Sequence, residues 1–171
     1  MTDSFDNVSL ETVGLPRRKP RVALIVDAQN WAFHNIARQL QRHLDSRFEF
    51  TILSVADLGE LHRVLLLTRD HDLIYFFWRV HLAQLAGAQG REAFEALGLD
   101  QAEFLSDYHS GPVIASGVFD HLFLDPHPLL SDIARVFARL DVAYSVSSLK
   151  LKHIYANLPE YQPPLAVLSW R

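Results

Sequence analysis

"RVALIVDAQNWAFHN", residues Arg21 to Asn35, decides how the chain reads. Its first half is a continuous apolar run of strand length, the pattern of a strand buried on both faces. Its second half opens a helix. From Trp31 to Leu44 the apolar residues Phe33, Ile36, Ala37, Leu40 and Leu44 recur at helical spacing. The junction between them has no glycine. It carries Asp27, Gln29, Asn30 and the indole of Trp31, and Asn30 stands where a helix N-cap belongs.

The same alternation continues along the chain. "FEFTILSV" reads as a second strand, and Asp57 as the cap of a second helix carrying Leu58, Leu61, Val64 and Leu65. "DLIYFFW" is a third strand, rich in aromatics. The stretch from His81 to Tyr108 is helical but interrupted by Gly87, Gly90 and Gly98, which predicts two or three short helices. "GPVIASGVF" is a fourth strand. Ser131 caps a helix bearing Ile133, Ala134, Phe137 and Leu140. "VAYSV" is a fifth strand, Ser147 or Ser148 caps the helix "LKLKHIYANL", and "LAVLSW" supplies a sixth strand. Buried strands alternating with helices predict an α/β fold: a Rossmann-like, doubly wound parallel sheet of five to six strands in a single domain over 21–171. Residues 1–20 read as a polar, flexible leader ending in the basic cluster Arg17, Arg18 and Lys19, which offers at most a weak contact with an anionic membrane surface.

Composition narrows the function classes. The chain has 171 residues, no cysteine and a net charge of −4. Thiolate metal sites and disulfides are therefore excluded, and no global positive field favours nucleic acid. The lack of cysteine and of an apolar signal segment leads to the expectation of a cytoplasmic protein. There is no G-x-G-x-x-G, no Walker A loop, no G-x-S-x-G elbow and no H-E-x-x-H, and the nine histidines show no tight metal spacing. Asp70-His71-Asp72 fits a D-x-D pattern. It precedes the third strand, at the amino end of the sheet, and so reads as a turn.

Ligands in such sheets bind beyond the carboxyl ends of the strands. The exit loops are Ala28–His34, Trp78–His81, Phe119–His121 and Ser145–Ser148. Trp31 offers an apolar platform for a sugar ring, with Asn30 before it and His34 one turn along. "FFWRVH" brings Trp78, Arg79 and His81 together, and an arginine there can pair with a phosphate or carboxylate. Asp120 can orient the imidazole of His121 or raise its pKa. Each has a purely structural alternative: a packed Trp31, a salt-bridged Arg79, an Asp120 that caps a turn. Lys150 and Lys152, in the first turn of a helix, face the positive end of its dipole, which suits an anion placed between them, and two solvated lysines are the simpler account.

These segments, in this order, resemble the amino-terminal half of family 4 glycosyltransferases. "DAQNWAFHNIARQL" is similar to the family's first strand and helix start, "DLIYFFWR" to its third strand, and "ASGVFDHLFLD" to its fourth strand and the loop beyond. "YSVSSLKLKHIYANLPEYQPPLAVL" resembles the segment leading to the interdomain crossover. The resemblance implies half of a GT-B fold, with a cleft that takes a sugar or glycan acceptor. The nucleotide-sugar donor belongs to a second domain, with its pair of glutamates and a retaining, metal-independent mechanism. His121 matches the histidine that approaches the transferred sugar and is the catalytic candidate. Asn30, Trp31, His34, Trp78, Arg79 and Asp120 would line the acceptor side.

The chain reaches "LAVLSWR" without the Gly-Val-Asp that family members place there. The expectation is a donor-less half. It would bind no cofactor itself, be inactive alone, and need a carboxyl-terminal domain or partner chain. Its uncovered apolar surface would favour homo-oligomers. A non-catalytic binding or assembly module is the alternative, and a small flavodoxin-like cofactor binder a weaker one without a phosphate cradle.

Overall fold

The computed structural model of the chain describes residues 18–109, 111–119, 142–146 and 165–167. The elements run β1 (Arg21–Val26), α1 (Ala32–Leu44), β2 (Glu49–Ser54), α2 (Val55–Leu58), α3 (Arg63–Thr68) and β3 (Leu73–Phe76). They continue with α4 (Arg79–Ala86), α5 (Ala88–Ala96), α6 (Gln101–His109), β4 (Val113–Val118), β5 (Ala143–Val146) and β6 (Leu165–Val167). All pairings are parallel, in the order β2-β1-β3-β4-β5-β6. The strands β2-β1-β3-β4, whose connecting helices are described, form the body of the sheet. β5 and β6 extend it by short ladders. This is an α/β protein with a parallel sheet, compatible with a Rossmann-like fold.

The unbroken apolar run of β1 now has its cause. Val22, Leu24 and Val26 face one side of the sheet, where Ala37, Phe33, Ile36 and Leu40 of α1 cover them. Ala23 and Ile25 face the other side, against Val64 and Leu65 of α3, Leu82 and Leu85 of α4, Phe94 of α5 and Leu105 of α6. A strand covered on both faces has no polar face to alternate with.

Several local expectations are corrected. Asn30 does not cap α1. It lies one residue earlier in the left-handed region (φ 62), and Trp31 takes the N-cap position without a side-chain cap bond. The chain must turn sharply between β1 and α1, and asparagine is among the few non-glycine residues that enter that region readily. Asp57 does not start a long second helix either. Gly59, at φ 71, splits the segment into α2 and α3, and Asp57 sits inside α2 with its carboxylate accepting from Gln29 Nε2 at 2.7 Å.

The interrupted region after β3 does form three short helices, broken at Gly87 and at Gly98 (φ 71). Gln101 ties them together, its amide donating to the carbonyls of Leu85 (2.9 Å) and Gly87 (3.0 Å) at the end of α4. Carbonyls at a helix end have no partner within that helix, so a buried amide is a fitting cap, and the Gly87 carbonyl also accepts Arg91 N–H at 3.1 Å to start α5. The expected helices after Ser131 and after Ser147–Ser148 lie outside the described residues.

Asp70-His71-Asp72 lies at the amino edge, where the turn reading put it. Asp72 accepts two bonds from the Arg18 guanidinium, both 2.8 Å, and a third from the Arg21 backbone N–H at 2.7 Å. The Arg18 bond is the main cause that holds the Asp72 carboxyl below its ordinary value, and the Arg21 N–H adds to it. Of the basic cluster, Arg18 thus binds Asp72, and Lys19 donates to the Asp45 carbonyl at the end of α1. Arg17 lies outside the described residues. Among the described residues no helix is long and apolar enough to cross a membrane.

Candidate functional site

The strand order changes direction between β1 and β3. β1 is followed by α1 and pairs outward with β2; β3 is followed by α4 and pairs the other way with β4. α1 and α4 pack on opposite faces of the sheet. Their starting loops therefore diverge and leave a crevice at the carboxyl edge, the standard ligand position in open α/β sheets. The junction "DAQNW" forms one lip and "FWRVH" the other.

The first lip is held by short-range bonds. The backbone N–H of Asn30 donates to His34 Nδ1 at 3.1 Å, which leaves Nε2 to carry the ring's proton. Asn35 N–H closes the first helical bond onto Trp31 O at 3.0 Å. Asn30, Trp31 and His34 are thus brought together, and Trp31 stands out with 65% of its surface exposed. Beneath them is an aromatic floor: Phe33 stacks on Phe77 (5.5 Å) and meets Phe119 (5.1 Å), while Tyr75 meets Phe77 edge-on (4.9 Å). Gly117 makes room for this floor. A Cβ there would meet Phe119 Cε2 at 2.3 Å and the Tyr75 hydroxyl at 2.6 Å. The Tyr75 hydroxyl bonds Ser145 Oγ at 2.6 Å, a link from β3 to β5 across β4.

On the second lip Trp78 is 38% exposed and takes the N-cap of α4. Arg79 differs from its expected role at the cleft surface. It is 2% exposed, one of the largest fully buried side chains, and so belongs to the wall behind the crevice. A guanidinium that enclosed cannot meet an incoming anion unless the wall moves. The first turn of α4 aims it inward, and sequence periodicity gave no sign of this because arginine is almost always at a surface. Asp120 and His121 lie outside the described residues, as do Ser147 and Ser148.

Three further polar residues outside the expected acceptor set stand near this edge of the sheet. Asp27 follows β1, Ser54 ends β2 in register with Val26, and His81 follows β3 in the first turn of α4. Asp27 is pinned by its carbonyl, which accepts from Ala56 N–H at 3.0 Å. Ser54 and His81 are each 7% exposed. The His81 ring meets Trp78 edge-on at 4.9 Å. Burial pushes the His81 pKa below its ordinary value, and the nearby Asp27 charge opposes that shift without cancelling it. The signal that could have found these residues is positional: each stands at or just beyond the carboxyl end of one of three adjacent strands.

Buried histidines give the fold an acid sensitivity. His81 and, at the amino edge, His71 both have lowered pKa values, burial being the first cause in each. Such groups bind protons more tightly when unfolded. Their contribution to stability is complete above the ordinary value of 6.5 and is lost as pH falls through the lower folded values. Urea midpoints measured against pH are expected to be level above that value and to fall below it. His81→Gln should remove part of the slope.

Among the described residues no three histidine or acidic side chains converge as metal ligands would. Compared with protein-family models, with curated proteins and with solved structures, the chain gives no match.

Proposed function

We propose that the chain is the acceptor-side, Rossmann-like half of a GT-B-type glycosyltransferase similar to family 4. The observation that carries this reading is where the crevice falls. The change in strand direction coincides with "DAQNWAFHN" and "FFWRVH", two of the segments that resemble the family, and each presents an indole to solvent. Indole faces suit the apolar faces of sugar rings. The β1–α1 junction has no glycine that would let backbone amides approach a diphosphate. Side chains, Trp31, His34 and Trp78 among them, would hold the acceptor. His121 would act on the transferred sugar once a donor half is present.

The test has two arms. Calorimetry of the chain with nucleotide sugars should show no binding, and tight binding would overturn the acceptor-side assignment. Titration with neutral glycosides should quench tryptophan fluorescence, and Trp31→Ala should weaken that binding about tenfold, or ~1.4 kcal/mol. A non-catalytic assembly module is a second reading. It draws on Leu66 and Leu67, adjacent and exposed on α3. Self-association abolished by Leu67→Lys, with no glycoside response, would favour it.

A further inference from the structure

We propose that the pocket bounded by the α2–α3 turn, α4 and α5 binds a small organic ammonium ion carrying one apolar ring or a short chain. The pocket measures about 270 Å³ and shares no residue with either lip of the crevice. Sites for drug-sized ligands run from about 300 to 1,000 Å³, so this one suits a smaller guest. Its inner wall is fixed in place. Leu85 is 1% exposed, and its carbonyl accepts the Gln101 amide at 2.9 Å. At Gly59 a Cβ would meet nothing within 4 Å, so this side is open.

Four polar side chains line the pocket: Glu60 and His62 from the turn, Gln84 from α4 and Gln89 from α5. None of the four makes a side-chain hydrogen bond among the described residues. For His62 this matters most, because the residue is 7% exposed and buried polar groups are nearly always paired. Its Nε2 stands 3.6 Å from Glu60 Oε2, beyond ordinary hydrogen-bond reach. Neither ring nitrogen is sealed from solvent, so a guest in the pocket can reach them. A guest that donates to His62 and Glu60 together completes both.

The chemistry of the guest follows from this lining. Glu60 is its only acid, and no lysine or arginine belongs to it, so an anion would meet like charge. Arg63 Nε lies 3.3 Å from the same carboxylate, outside the lining. A carboxylate has about four lone-pair sites, so a second donor still has room. Carboxylate, amide carbonyls and a neutral imidazole nitrogen all accept, while an ammonium group brings three donors and no acceptor. An alcohol would bring one donor and leave the charge of Glu60 unanswered. Leu61, Leu85, Ala93 and Leu97 supply apolar wall for the hydrocarbon part of the guest.

The experiment is a titration of the ¹⁵N-labelled chain with benzylamine, an ammonium ion at neutral pH. The Gly59 and Gly90 amide signals and the His62 imidazole signals report on the pocket. Benzyl alcohol and benzoate, nearly the same in shape, are the controls. Saturable shifts with benzylamine are expected, with benzyl alcohol binding about tenfold more weakly and benzoate not at all. Glu60→Gln should bring benzylamine down to the affinity of the alcohol and leave the alcohol unchanged. The Glu60 side chain is 58% exposed, so this replacement leaves the fold intact. Ala93→Leu, which fills the pocket, should weaken benzylamine and the alcohol alike. Four results would overturn the site: no saturable shift with benzylamine, an equal response to either control, a preference that survives Glu60→Gln, or undiminished binding in folded Ala93→Leu. None of them bears on the acceptor-side reading, which is tested with glycosides.

Discussion

Replacing Gly90 with alanine is expected to destabilise the protein by about 3 kcal/mol. The residue lies inside α5, where alanine would ordinarily be preferred by ~1 kcal/mol. Tertiary contact reverses that preference. A Cβ at this position would sit 1.8 Å from the Leu85 carbonyl oxygen and 2.5 Å from its carbon. These are backbone atoms, so no rotamer change relieves the clash. The carbonyl is also committed, because it accepts the Gln101 amide at 2.9 Å. Moving it would strain the bond that joins α6 to the end of α4. Urea unfolding followed by circular dichroism measures the change. An unchanged or raised midpoint would show that α5 is free to shift away from α4. The same helices border a pocket of 270 Å³ lined by His62, Gln84, Leu85, Gln89 and Gly90, and a substitution at Gly90 should distort it.

Phe77→Ala is expected to cost about 3–5 kcal/mol, the range for removing a buried aromatic ring. Phe77 is 1% exposed and lies against Phe33, Tyr75 and Phe119. Its loss would open a cavity where α1, β3 and the end of β4 meet. The consequence should reach the surface, because Phe33 is only two residues from Trp31. Near-UV circular dichroism of the tryptophans should weaken in Phe77→Ala before global unfolding. Phe77→Leu, which keeps much of the volume, should lose less than half as much stability. A full loss in Phe77→Leu would show that ring geometry, and not volume, holds the first lip in place.

Much of the architecture was legible because its signals are local. β1 is buried on both faces, and a strand in that position has no alternative to a continuous apolar run. α1 kept its stripe of Phe33, Ile36, Ala37 and Leu40 because one face of it meets the sheet. Gly87 and Gly98 marked real helix breaks. Gly90 did not, since what it permits is the approach of two helices, a property of the pair and not of the segment. Asn30 was misread for a related reason: a residue suited to capping is also suited to a left-handed turn, and only the path of the chain chooses between them.

The site was less legible. Trp31, His34 and Trp78 could be placed at the carboxyl edge because they stand next to strand ends in the sequence. Arg79 was placed in the right loop with the wrong exposure, because the direction of the first turn of α4 depends on what covers it. Asp27, Ser54 and His81 come from three segments. Their placement at one edge of the sheet follows from strand order and register, neither of which a single segment encodes. Asp27 was visible at the junction, but the need for a partner becomes visible only with its burial.

The Arg18–Asp72 pairing has a practical consequence. Asp72 accepts from Arg18 and from the Arg21 N–H through its carboxylate, donates its own N–H to the Arg21 carbonyl and accepts Val113 N–H through its carbonyl. The chain is thus fastened as it enters the sheet, at the rim farthest from Trp31 and Trp78. A tether attached ahead of Arg18 would hold the molecule by its base, with the tryptophan-bearing crevice turned toward solution. Sensor surfaces that immobilise the protein through its amino terminus are therefore the favourable format for measuring glycoside binding.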